Sequence, residues 1–145
     1  MSVAPVLELS FIASIREVEA ADWDALAGSD YPFLRHSFLQ ALEDSGAACA
    51  ESGWQPQHLL LHEAGRLCGL MPLYIKSHSY GEYVFDWSWA NAYERYGHDY
   101  YPKLLAAIPF TPATGPRLVL RDDLDGDKVM PAVVSQMQAR AQQLN

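Results

Sequence analysis

The chain has 145 residues, half of them hydrophobic, which fits one domain able to build a core without metals or disulfides. Its 10 Lys and Arg against 18 Asp and Glu give a formal net charge of -8, which disfavours nucleic acid and other polyanions as partners, because phosphate contacts need clustered cations. Two cysteines, Cys49 and Cys68, are too few for a secreted disulfide scaffold and are expected as reduced thiols of a soluble, cytoplasmic protein. Residues 1–10 hold no Lys or Arg, so the basic region of a signal peptide is missing there, and no apolar run approaches the ~20 residues that cross a bilayer.

Residues 7–12 read as a first strand. Residues 17–27 read as a helix, with Val18, Ala21, Ala25 and Leu26 on one face and Gly28 as its stop. Residues 37–45 read as a second helix, Ser37 and Gln40 having capping-box spacing and Gly46 sitting as a C-cap. Residues 58–63 and 67–76 are strand-like runs around Ala64-Gly65-Arg66, a hairpin signal, with Pro72 calling for a bulge or edge position. Residues 82–89 alternate, placing Tyr83, Phe85, Trp87 and Trp89 on one face and Glu82, Val84, Asp86 and Ser88 on the other; this predicts a strand. A short helix over 90–96 ends at Gly97, and 103–110 is a further apolar strand. A Pro/Gly turn at 111–116 precedes a short strand at 117–120. The last element is a helix over about 128–144, with Met130, Val133, Val134, Met137, Ala141 and Leu144 as its apolar stripe and Pro131 in its first turn. The order predicts an α/β (α+β) fold, a mixed, largely antiparallel sheet flanked by helices.

Residues 80–101 hold nine of the 17 aromatic side chains, six of them Tyr, whose apolar bodies and polar tips favour half-wet surfaces. Glu82 and Asp86 share a face there, but four strand residues span ~13 Å, too far for a paired-carboxylate site. Either one alone is a candidate general base if neighbouring aromatics raise its pKa, and the plainer expectation is a carboxylate paired with Arg95 or Lys103. His58 and His62 have a helical zinc spacing, yet on a strand they stand ~13 Å apart, so no metal site is expected. Asp122, Asp123, Asp125 and Asp127 around Gly126 imitate a calcium loop but lack its Glu, and are expected to cap the last helix. Thr111, Thr114, Gly115 and Arg117 form a weak candidate phosphate or carboxylate loop.

Four stretches together carry a resemblance: Pro32-Phe-Leu-Arg-His-Ser-Phe-Leu-Gln-Ala-Leu-Glu43, Gly53-Trp-Gln-Pro-Gln-His-Leu-Leu-Leu61, Pro72-Leu-Tyr-Ile-Lys-Ser-His-Ser-Tyr-Gly-Glu-Tyr-Val-Phe-Asp-Trp87 and the segment from Pro102 to Arg117. From about residue 10 onward the chain resembles the FemAB-like (peptidoglycan biosynthesis/recognition) family within the GNAT N-acyltransferase superfamily. The resemblance implies an acyl-CoA N-acyltransferase-like fold and acyl or aminoacyl transfer to an amine, on a small molecule or a peptidoglycan precursor. It directs attention to Ser77 and to the candidates taken together: Asp86 and Glu82 as catalytic, and His78, Tyr80, Trp87, Tyr101, Lys103, Thr111, Thr114, Gly115 and Arg117 as substrate-binding. Members of the family are longer and contain two such modules, so the chain is expected to be an N-terminal module. Its unpaired sheet edge would meet a second module or a second copy. GNAT enzymes hold the CoA pyrophosphate at a helix N-terminus, and the four aspartates before the last helix would repel it. This chain alone is therefore expected to bind no cofactor, acyl-CoA or aminoacyl-tRNA being the donor of the full enzyme. The alternative is a recognition module without chemistry, or a structural half whose aromatics are core.

Overall fold

A computed structural model describes residues 6–144. The chain enters on β1 (Leu7–Ile12), a 3-10 turn (Ile15–Glu17) and two short helices, α1 (Ala20–Ala27) and α2 (His36–Asp44). Four strands come next: β2 (Trp54–Pro56), β3 (His58–Glu63), β4 (Arg66–Met71) and β5 (Tyr74–Lys76). The chain continues through α3 (Trp87–Arg95), β6 (Lys103–Leu105), β7 (Val119–Leu120) and α4 (Gly126–Gln143).

The hairpin forms at its predicted place, between β3 and β4, through Ala64 (φ 48°) and Gly65 (φ 76°). Two residues of positive φ match the twist of the paired strands, so the loop is one residue tighter than predicted and Arg66 already pairs with Glu63. The α+β class holds, and every strand pairing is antiparallel. The single sheet of the prediction is two sheets, ordered β1-β3-β4-β7 and β2-β5-β6. The predicted strand 67–76 is what divides them. Pro72 has no N–H to give a ladder, so the run breaks there and β5 leaves for the second sheet. The bend is held by Leu73, whose N–H donates to His58 Nδ1 (3.1 Å) and whose carbonyl accepts from Gln57 N–H (2.8 Å).

The larger sheet is covered on both faces. Leu59, Leu61, Cys68, Met71 and Leu73 pack with Val129 and Val133 of α4. Leu60 and Leu70 pack on the opposite side with Ile12, Ile15, Trp23 of α1 and Leu39 of α2. Burial on both faces is why β3 reads as a continuous apolar run and not as an alternation. Each such leucine contributes roughly 1.5–3 kcal/mol by leaving water. Both cysteines are free thiols, Cys68 in this core and Cys49 half-buried. Arg140 fastens α4 by donating to Gln57 Oε1 (3.1 and 2.6 Å) and lies over the Phe11 ring.

Three local expectations change. The Ser37/Gln40 capping box does not form, because α2 begins at His36, whose N–H is taken by Asp24 of α1 (2.9 Å). The box forms instead in the 3-10 turn, between Ser14 and Glu17. α4 begins at Gly126, capped by Asp125 accepting from Asp127 N–H (3.1 Å), so Pro131 falls beyond its first turn. Only Lys103–Leu105 of the predicted strand 103–110 is extended, since Pro109, Pro112 and Pro116 strip backbone donors from the stretch beyond it.

The largest correction concerns 82–89, which is no strand. Gly81 (φ 83°), Tyr83 (φ 59°) and Phe85 (φ 52°) are left-handed, and α3 starts at Trp87. The predicted alternation fails with it: a contorted loop turns Glu82 and Asp86 inward, while Val84 and Ser88, expected on the same face, are exposed together with the aromatics. Among the described residues no helix is long and apolar enough to cross a membrane.

Candidate functional site

The smaller sheet sets two lysines side by side. In the antiparallel register of β5 and β6, Lys76 is directly opposite Lys103, and on the other side of β5 Trp54 is opposite Lys76. Like charges facing each other across a strand pair repel, so each ammonium needs compensation of its own.

Lys103 finds it in the contorted loop. Its Nζ donates to Asp86 Oδ2 (2.5 Å) and Glu82 Oε2 (3.0 Å), and lies over the rings of Tyr100 (4.7 Å) and Tyr101 (5.2 Å). The tyrosine hydroxyls in turn donate to Asp86, Tyr100 to Oδ2 (2.9 Å) and Tyr101 to Oδ1 (3.3 Å). Burial pushes the Asp86 carboxyl up, but the Lys103 ammonium and the two hydroxyls outweigh it and hold Asp86 below the ordinary carboxylate range. Burial opposes the charge on Lys103, and the bonds to Asp86 and Glu82 overcome that, holding its pKa above the ordinary lysine value. Burial, joined by the bond to Asp86, raises the Tyr100 phenol. Lys103 is thus a fixed cation and Asp86 a fixed anion.

Lys76 is fully buried, its Nζ donating to the Tyr80 carbonyl (2.9 Å) and resting 4.5 Å from the centre of the Trp54 ring. Burial pulls its pKa down, opposed by the nearby Glu82 charge. The Trp54 indole donates to the same Tyr80 carbonyl (3.2 Å). Glu82 is the unsaturated member. Its side chain is 1% exposed, Oε2 is on Lys103, and Oε1 is buried with no hydrogen-bond partner among the described residues. A buried carboxylate oxygen left without a donor is costly, and such an atom calls for one.

The predicted site residues thus divide. Glu82, Asp86, Tyr101 and Lys103 come together, and the ~13 Å separation expected of the two carboxylates is void because the segment is not extended. Tyr80, Trp87 and His78 form the rim. Tyr80 and Trp87 are exposed, the Trp87 indole donating to Ser79 Oγ (2.9 Å), while His78 accepts from Tyr80 N–H (3.2 Å) and lies against Gly53. Thr111, Thr114, Gly115 and Arg117 lie in the loop after β6, which is tied to the site through Phe110 N–H on the Gly81 carbonyl (3.1 Å). That loop spends its donors on itself: Thr111 on Pro109 O (3.1 Å), Arg117 on Ala113 O (2.9 Å) and Gly115 O (3.3 Å). Gly115 is pressed under the Tyr31 ring, and Thr114 is exposed. Lys76, Trp54 and Tyr100 were not among the predicted residues. The one signal for Lys76 is a lone cation ending an apolar run.

The aromatics of 80–96 are mostly exposed, Tyr80, Tyr83, Phe85, Trp87, Trp89, Tyr93 and Tyr96 among them, so they are not core. His58 is fully buried. Its Nδ1 accepts from Leu73 N–H, which puts the ring proton on Nε2, 3.7 Å from Glu43 Oε1. It is a packing residue, four positions before His62 along β3.

Fold and site together define an α+β domain with a buried lysine–carboxylate cluster beneath an exposed aromatic rim. The chain belongs to the FemAB-like family, described as peptidoglycan biosynthesis/recognition, which it matches over residues 14–145. No curated protein and no solved structure matches it.

Proposed function

We propose that this chain is the acceptor-recognition module of a cytoplasmic N-acyl- or aminoacyltransferase of the GNAT type, acting on an amine of a peptidoglycan precursor. One observation carries the reading: Glu82 Oε1, a buried carboxylate oxygen with no donor, beside an Asp86–Lys103 pair that is bonded to itself. Asp86 is held below the carboxylate range and committed to Lys103, so it is poorly suited to take a proton at neutral pH. Glu82 is therefore the better candidate to receive the acceptor ammonium and its proton, with Asp86 and Lys103 positioning it. The donor, an acyl-CoA or aminoacyl-tRNA, is assigned to a second module of the same kind or to a second copy joined at a sheet edge.

The test is calorimetric titration of a precursor muropeptide carrying its free amine, against the native chain and Glu82→Gln. The reading expects saturable binding that Glu82→Gln weakens and that N-acetylation of the ligand amine abolishes. Equal binding of the amine and its acetylated form would remove the assignment. Binding in which the full-length Glu82→Gln enzyme keeps native kcat would favour recognition without chemistry, a reading supported by the mutual saturation of Asp86 and Lys103.

A further inference from the structure

Among the described helices α3 alone buries no residue. A nine-residue helix has little stability of its own in water, so its order depends on what its side chains touch. On the inner side the Trp87 indole holds Ser79, and the Tyr93 ring meets Tyr100 edge-on at 5.2 Å. Trp89, Ala92, Tyr93 and the C-cap residue Tyr96 stand at i, i+3, i+4 and i+7, a spacing that makes one face of a helix, with half-exposed Tyr93 at the border between that face and the inner side. That spacing ordinarily marks a face turned to a core, yet Trp89 is 65% and Tyr96 81% exposed. With His98 the stripe lines a hollow of about 320 Å³.

We propose that this hollow is a carbohydrate subsite, in which the apolar face of a pyranose ring stacks on Trp89 and Tyr96 while the Tyr93 hydroxyl and the His98 ring meet sugar hydroxyls at the edge. The assignment rests on the reading of the chain as a peptidoglycan-precursor recognition module and adds where the sugar is held. Three features select a sugar. The volume is at the small end of small-molecule sites. No Lys or Arg lines the hollow, which leaves phosphate and nucleic acid without a partner, and no Asp or Glu lines it to favour a cation. Aromatic faces edged by hydroxyl and imidazole groups complement a ring that is apolar on its face and polar around its rim. Contacts also join α3 to the charged cluster, since Tyr93 packs on Tyr100 and Tyr100 donates to Asp86 (2.9 Å).

The test uses a peptide-free N-acetylglucosamine oligosaccharide, titrated by calorimetry into the native chain, Trp89→Ala and Tyr96→Ala, with tetramethylammonium as a second probe. The expected result is saturable sugar binding that falls about tenfold or more in each aromatic variant. Both aromatic positions are exposed, so unchanged melting of those variants confirms that their folds are intact. No sugar binding at millimolar ligand, binding indifferent to both aromatic substitutions, or binding of tetramethylammonium in place of the sugar would each overturn the subsite. The amine assignment is judged separately, because the probe carries no amine. Sugar binding with amine-independent muropeptide binding sinks the Glu82 reading and leaves the subsite.

Discussion

Lys76 and Lys103 face each other across β5 and β6, and they are stabilised by different means: Lys103 by two carboxylates, Lys76 by a carbonyl and an indole ring. The pair repels at the spacing of facing strand residues, so the loop that delivers Glu82 and Asp86 is needed by the sheet as much as the sheet is needed by the loop.

Lys103→Met should therefore be strongly destabilising, by roughly 3 kcal/mol, because it leaves two nearly buried carboxylates without their cation. Adding Glu82→Gln and Asp86→Asn to Lys103→Met should restore much of the loss. Urea denaturation of the single and triple variants checks this, and a triple variant no more stable than the single would count against the cluster.

Acid should weaken the fold through the same group. The folded-state pKa of Asp86 is below its unfolded value, so its contribution is present above the ordinary carboxylate range and is lost as pH falls through the lowered value. Lys103 runs the other way: its pKa is raised, so its contribution is complete below the ordinary lysine value and is lost as pH climbs through the raised one. Melting temperature should be level through neutral pH and fall at both ends, and Asp86→Asn should flatten the acid limb relative to the native chain. Glu43 has a lowered pKa as well, burial being outweighed by His58, Ser14 and Ile15, so the limb should shrink and not vanish.

Much of the larger sheet can be read from the sequence, and much of the site cannot, for physical reasons. Residues 7–12 and 58–63 were legible because short, mostly apolar runs between polar breaks favour strands. β2 was invisible because three residues carry no period. The segment 82–89 was misread because a polar/aromatic alternation in sequence need not be an alternation of faces: left-handed Tyr83 and Phe85 bend the chain so that only Glu82 and Asp86 turn inward. The pairing of Lys76 with Lys103 depends on the break at Pro72 and on the register of a second sheet, and neither is a local property.

Gly81→Ala should disturb the site from its backbone. The residue has φ 83°, and an added Cβ would stand 2.7 Å from the Phe110 ring and 2.9 Å from Trp54 Nε1. A left-handed alanine with two such contacts should cost roughly 1–3 kcal/mol. In heteronuclear NMR spectra the Trp54 indole resonance should shift, while resonances of β1 and β3 stay in place.

Acetyl-CoA should leave the melting temperature of this chain unchanged. The N-terminus of α4 is already capped by Asp125, with Asp127 in its first turn, so a pyrophosphate would meet negative charge there. Micromolar acetyl-CoA affinity in a calorimetric titration would show that the chain holds the donor after all.

The Tyr80 carbonyl, which receives both the Lys76 ammonium and the Trp54 indole, pins the loop by its main chain. Every L-amino acid offers that same oxygen, so the course of the loop is insulated from the choice of side chain at position 80. The exposed face there is free to drift or to be engineered toward a different ligand while the scaffold beneath it keeps its shape, which makes position 80 a natural first site for a saturation library.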